Sequence, residues 1–175
     1  MTSVGEQVDV EEMIERLAKH RALEGMPRQE LEWLARHGEL RRFRAGEMLS
    51  IKGTEPFYMT VMLTGSGGIY MERGGARRKV MEWGAGELTG MMPFSRMTTT
   101  IGDPMLEQDS EVLFVHRDHF PELIRDCPNI TAACVHVMLD RARTFTSTDW
   151  QDDKLISLGR LAAGLAHELN NPASA

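Results

Sequence analysis

Between residues 10 and 37 apolar side chains recur at helical spacing. Met13, Ile14, Leu17 and Ala18 fall on one stripe and Leu31, Leu34 and Ala35 on another, with Gly25-Met26-Pro27 between them. Residues three and four apart share a helix face, and proline suits a first turn while ending what precedes it. The pattern predicts two short helices. From Leu40 to about His116 the period falls to two. In FYMTVMLTG, Phe57, Met59, Val61 and Leu63 alternate with Tyr58, Thr60 and Thr64, broken only by Met62, as in a half-buried strand. Glycines punctuate this region, and Gly74-Gly75 supplies the positive φ of a tight hairpin turn. Short strands between Gly-rich turns predict an antiparallel jelly roll or barrel.

From His119 onward the pattern is helical again. Asn129 follows Pro128 as a candidate N-cap, and Ala133, Val137 and Leu139 lead a helix toward Arg143. Residues 144–153, apart from Phe145 and Trp150, are polar and β-branched and read as a joint. Leu155, Leu158, Ala162, Leu165 and Leu169 then step by three, four, three and four. That is a heptad seam and asks for a partner helix. With Ala162 at position a, His167 falls at f, facing away from the seam, where a neutral imidazole nitrogen is free to act as a nucleophile. Asn171 shares its face, and Pro172 removes the amide that would bond Glu168, so the helix bends one turn past the histidine.

Composition narrows the function. A chain of 175 residues, 42% hydrophobic, holds one domain with a core and an appendage. The net charge of −6 argues against nucleic acid as the main partner, because a phosphate backbone calls for a basic face. The basic runs Arg41-Arg42-Phe43-Arg44 and Arg77-Arg78-Lys79 read as solvated strand faces. No stretch reaches the ~20 apolar residues of a membrane span, and the acidic N-terminus has no secretory h-region. Two cysteines, Cys127 and Cys134, fit a reducing compartment better than a disulfide framework. A cytoplasmic location is expected. The thirteen methionines read as core filling. His116, His119 and His136 near the cysteines show no metal spacing, so no metal site is expected.

The segment LGRLAAGLAHELNNP resembles the H-box of sensor histidine kinases, whose dimerisation helix carries a phosphoacceptor histidine followed by an acidic residue. The resemblance covers about the last twenty residues. It implies that His167 accepts the γ-phosphoryl group of ATP, that Glu168 assists as the acidic neighbour, and that Asn171 helps in phosphoryl exchange. A zinc site of the H-E-x-x-H type fails because position 171 is Asn. The chain stops before a second dimerisation helix or an ATP-binding domain. It reads as the front end of a longer kinase, inactive alone.

The region from about Ile14 to Arg143 resembles the cyclic-nucleotide-binding domain family of catabolite-activator-type regulators and kinase regulatory subunits. IERLAKHRALEGMPRQELEWLARHGELRRFRAGEMLSIKG, FYMTVMLTGSGGIY and GAGELTG carry that likeness in order. The family holds a cyclic phosphate in a short cassette. By carry-over, the carboxylate of Gly86-Glu87 meets the ribose 2′-hydroxyl and Arg96 meets the phosphate. The interval of nine residues between 87 and 96 is the family's usual one. An Arg fork neutralises a phosphate, and backbone amides complete the cradle. Met97 and Thr98 follow in the same cassette. Met97 stands where Ala, Ser or Thr is common and would crowd the phosphate. Leu88-Thr89-Gly90-Met91-Met92-Pro93-Phe94 discourages the cassette's short helix. The stretch from Met97 to Ser110, ahead of the strand Glu111 to Phe114, is longer than usual. Two readings stay open: Glu87 and Arg96 hold a cyclic nucleotide or other small anion, or they form structural ion pairs with each other, Asp103 or Glu107.

The expected architecture is α+β: a tail over 1–9, and a jelly-roll β-barrel flanked by helices within a sensor domain over 10–143. A linker over 144–153 and a long dimerisation helix over 154–175 follow. The barrel proper occupies roughly residues 10 to 118. The expected function is the sensory portion of a two-component histidine kinase, in which a ligand or partner at the barrel controls autophosphorylation of His167. ATP would be used by a kinase domain outside this chain, and no cofactor is expected within it. Homodimerisation, a cognate response regulator and the kinase domain of the same protein are the implied partners. The alternative is a degenerate barrel that only dimerises or docks proteins. A DNA-binding regulator fits poorly, since the H-box stands where a helix-turn-helix would follow.

Overall fold

A computed structural model of the protein describes residues 9–143 apart from Gly74. The chain divides into two units, Met1–Val137 and Met138–Ala175. The description below is of the first, together with the helical residues 138–143. The segments expected to form a joint and an H-box helix, with His167, Glu168 and Asn171, lie outside the described residues.

Helix α1 spans Val10–Ala18 and begins where the Asp9 carboxylate accepts the Glu11 amide. Glu11 and Glu12 in its first turn and Arg16 in its last suit the helix dipole. It buries Met13, Ile14 and Leu17, whereas Ala18, placed on the same stripe by spacing, is exposed. A 3-10 turn over Arg21–Leu23 leads to α2, Arg28–His37, which starts directly after Pro27 as expected. Helix α2 buries Leu31, Trp33 and Leu34 and one charged residue, Glu30. It runs straight into strand β1 at Gly38. A Cβ there would stand 2.6 Å from Leu113 Cγ, so the junction has no room for a side chain.

Two antiparallel sheets follow. The first has the order β1-β7-β2-β5, built from Gly38–Phe43, Ser110–His116, Tyr58–Met62 and Leu88–Gly90. The second, β4-β3-β6, is built from Ala76–Gly84, Ser66–Arg73 and Asp103–Leu106. The β3–β4 hairpin pairs Arg73 with Ala76 and holds Gly75 at φ +77°. This is a jelly-roll arrangement of facing sheets. The two sheets do not join into a closed barrel among the described residues.

Met62, Trp83, Leu106, Val112 and Phe114 form the core between the sheets, with Phe43, Leu49, Tyr58, Ile69 and Met81 packed against it. Strand β2 is buried from Met59 to Met62. The alternation expected for a half-buried strand is absent because both faces are covered. Met62 and Tyr58 look into the roll, and Met59 on the other face meets Cys134, its Sδ 3.5 Å from that thiol. Each fully buried aliphatic side chain of this kind contributes about 1.5–3 kcal/mol. Met59, Met62 and Met92 are buried as core filling requires.

After β7 come a 3-10 turn over Arg117–His119 and helix α3, Phe120–Asp126. Residues 128–143 form α4. Asn129 is not its acceptor cap. Asn129 sits inside the first turn, and its amide (3.3 Å), its side-chain Nδ2 (2.6 Å) and the Ile130 amide (2.9 Å) all donate to the buried Glu30 carboxylate of α2. A carboxylate from a distant helix therefore does the capping, and its charge suits the positive end of the dipole.

Candidate functional site

The Gly-Glu pair lies between β4 and β5 and is fixed from three sides. Gly86 has φ +84°, which favours glycine, and its would-be Cβ lies 3.0 Å from Arg21 Cβ, so a side chain would also press on that residue. The Gly86 carbonyl accepts from Ala22 (3.1 Å), and the Gly86 amide donates to Met62 O (2.9 Å). The Met62 amide donates to Glu87 O (2.9 Å), while Glu87 Oε2 accepts from the Gly84 amide (3.0 Å). Oε1 of Glu87 accepts from the Arg21 guanidinium. His20, buried one residue earlier, donates from Nε2 to the same Met62 carbonyl (3.1 Å). Burial lowers its pKa. The connection between α1 and α2 thus sits on the front edge of the cassette. Sequence reasoning missed Arg21, because the ion pair spans 66 residues and no local pattern marks it.

The rest of the cassette is a loop. No helix forms between Gly90 and Asp103, as Gly90 and Pro93 lead one to expect. Phe94 is the one non-glycine residue with positive φ among those described, at +66°, and its side chain is 64% exposed. A bulky residue held in the left-handed region stores strain of order 1–3 kcal/mol, and such residues gather at ligand clamps. Arg96 and Thr98 are exposed and Met97 is half-buried, its amide donating to Ser95 Oγ at 3.2 Å. Arg96 is not paired with Glu87. Glu107 is held instead by Lys79 (3.1 Å) and the Tyr70 hydroxyl, and Asp103 does not pair with Arg96 either. The ion-pair reading of Arg96 fails on all three partners. Its guanidinium has no side-chain partner among the described residues.

The loop from Met97 to Ser110 gains its length from β6, which pairs with β3. The first basic run also departs from a plain solvated face. Arg42 and Arg16 bracket Glu111 from two sides, and these bonds hold the Glu111 carboxyl below its ordinary range. Arg41 turns onto the aromatic edge of the core, 4.5 Å from the Phe114 ring and 4.9 Å from the Tyr58 ring. Arg77 covers Tyr70 at 4.8 Å, and Lys79 joins Glu82 and Glu107.

Both cysteines are buried, and they are not joined in a disulfide. Burial, with the nearby Glu30 charge adding to it, pushes the Cys127 thiol up to about 12, so it is an inert thiol rather than a nucleophile. Elsewhere, His37, His119 and Glu122 converge at the end of α2 and the start of α3. No helix among the described residues is long and apolar enough to cross a membrane.

The comparisons with known proteins agree with this geometry. The family described as cyclic nucleotide-binding domain matches residues 40–127. No curated protein matches the chain. Among solved structures, a substituted form of the regulatory subunit of a cAMP-independent protein kinase A from Trypanosoma brucei, bound to cAMP, is similar at 19% identity and TM-score 0.65. That match covers 83% of this chain and 51% of the other. A cyclic nucleotide-binding domain from Methylobacillus flagellatus is similar at 16% identity and TM-score 0.60, over 89% of this chain and 88% of that one. The Thermus thermophilus catabolite activator protein is similar at 20% identity and TM-score 0.64, over 77% and 62%. Identities this low speak to the fold. The chain spans about half the length of the trypanosomal subunit.

Proposed function

The chain belongs to the cyclic nucleotide-binding domain family, and we propose that its jelly roll senses a cyclic nucleotide, or another small anion of that kind, to control a histidine kinase. The observation that carries the sensing half is Arg96: an exposed guanidinium at the family's phosphate position, with no carboxylate paired to it among the described residues. Arg96 would take the phosphate, and Thr98 would lie beside it. Glu87 would turn an oxygen to the ribose hydroxyl, a contact for which it must share or leave Arg21.

That exchange supplies a route outward. Arg21 and Ala22 begin the turn that feeds α2, and α2 caps α4 through Glu30. A ligand that competes for Glu87 therefore acts on the turn, the helix and the exit helix in sequence. A ligand shifts such an equilibrium only by its differential affinity for the two arrangements. Further along, the likeness of residues 158–172 to an H-box supports a homodimer in which His167, assisted by Glu168 and Asn171, takes a phosphoryl group from ATP bound elsewhere in the kinase. A response regulator would then receive it. In this reading the protein works in the cytoplasm.

A second reading is favoured by a specific observation. Arg21 already neutralises Glu87 and the cassette has no helix, which suits a roll that only docks or dimerises. One experiment separates the two: thermal unfolding of the chain with cAMP, cGMP, cyclic dinucleotides or ATP. A ligand at a hundred times its Kd adds about 2.7 kcal/mol, which raises the midpoint by roughly 5–10 °C. Arg96→Ala should unfold within about 0.5 kcal/mol of the parent, since Arg96 is exposed and makes no ion pair among the described residues, and should lose the ligand shift. The absence of any shift with all of these compounds would leave the docking reading.

A further inference from the structure

We propose that His37, His119 and Glu122 form a binding site for one divalent transition-metal ion of the zinc type. The observation is independent of the nucleotide reading. One nitrogen from each histidine and one carboxylate oxygen of Glu122 lie within 4.8 Å of one another, and His37 Nε2 is 3.6 Å from Glu122 Oε1. Zinc bonds such atoms at about 2.0–2.2 Å, which sets ligands roughly 3–3.5 Å apart. The pair seen at 3.6 Å is nearly there, and closing the remainder needs about an ångström of side-chain adjustment.

The surroundings prepare the nitrogen. His37 Nδ1 lies 2.8 Å from the Trp33 carbonyl, which can only accept, so Nδ1 carries a proton there and Nε2 is the nitrogen turned toward Glu122. A second hydrogen bond that fixes tautomer and ring orientation is the usual support of a metal-ligating histidine. Trp33 stacks on His37 at 4.2 Å, and His119 stands edge-on to His37 at 5.1 Å, so both rings are held by packing. His119 and Glu122 are three residues apart across the start of α3, a spacing that sets both on one side. All three residues are half-buried, which leaves an open coordination position for water. Two imidazoles and one carboxylate are the donors of zinc, cobalt or nickel, whereas magnesium and calcium prefer oxygen alone.

The site joins the end of α2 to the start of α3. The opposite part of α2 already caps α4 through Glu30. An ion would fasten α2 at a second point, next to the segment through which the nucleotide signal was traced.

The test is titration of the untagged chain with ZnCl2 by calorimetry, alongside CoCl2 by visible absorption. The expected result is one ion per chain, with cobalt d–d bands of a low-coordinate site. His119→Gln and Glu122→Gln should each weaken binding by at least about tenfold and remove the bands, with circular dichroism unchanged. A His37–Glu122 ion pair alone would not need His119, so its variant distinguishes the two accounts. Glu122 is exposed enough that Glu122→Gln keeps the fold if a histidine variant does not. No uptake by the parent chain overturns the proposal. So does uptake unaffected by the folded variants, which would put the ion elsewhere.

Discussion

His20 shows how one buried base tunes the molecule. Its Nε2–H is satisfied by Met62 O, but Nδ1 is buried without a hydrogen-bond partner among the described residues, and burial lowers its pKa below the ordinary 6.5. The unfolded chain therefore takes up the proton more readily than the folded one. Stability is complete above about pH 6.5 and is lost as pH falls below it, by at most about 1.4 kcal/mol per pH unit. The carboxylates held low by arginine, lysine or tyrosine partners, Glu39, Glu107 and Glu111, act only below their ordinary 4.5. Denaturation midpoints between pH 7.5 and 5.5 should thus fall in the parent and stay nearly flat in His20→Gln. An equal slope in both would assign the dependence to another group. Because His20 shares the Met62 carbonyl with Gly86, acidification should loosen the front of the cassette first.

At the scale of elements, the helix and strand periods were legible because burial enforces them: α1, α2 and the β3–β4 hairpin stand where Met13, Leu31 and Gly75 point. Two kinds of feature were not. Strand β2 hides its alternation because α4 covers the face that would otherwise be wet, as the Met59–Cys134 contact shows. The site's partners are also long-range. Arg21 meets Glu87 and His37 meets His119 only after the chain has folded back, and neither spacing leaves a local trace. Glu30 belongs to the same class, a charged residue on an otherwise apolar face whose reason lies in another helix. Glu30→Gln keeps one acceptor oxygen and turns an amide toward donors. It should lower stability by about 1.5–3 kcal/mol, the range for bonds to a charged group, read as a lower denaturant midpoint with an unchanged slope. A neutral outcome would mean that α4 caps itself.

For the first unit as a whole, the helices are structural parts of the roll. The outer face of the four-stranded sheet includes Leu40, Val61 and Val115, all buried though absent from the core between the sheets. A chain beginning at Gly38 keeps every described strand but loses α1, α2, Arg21 and Glu30. It should lack a cooperative thermal transition by circular dichroism, and a sharp transition near the parent midpoint would show the roll to be self-sufficient. The Glu30 bonds also carry a consequence for how the protein is made. They join residues 99 and 100 positions apart, a separation whose chain closure costs about 4 kcal/mol from the logarithmic length term alone. Ribosomes add roughly 5–20 residues per second. The Glu30 carboxylate therefore waits in water for roughly 5–20 s before the amides it serves exist. The helix synthesised second is among the last to be completed, and until then the nascent roll has one side open.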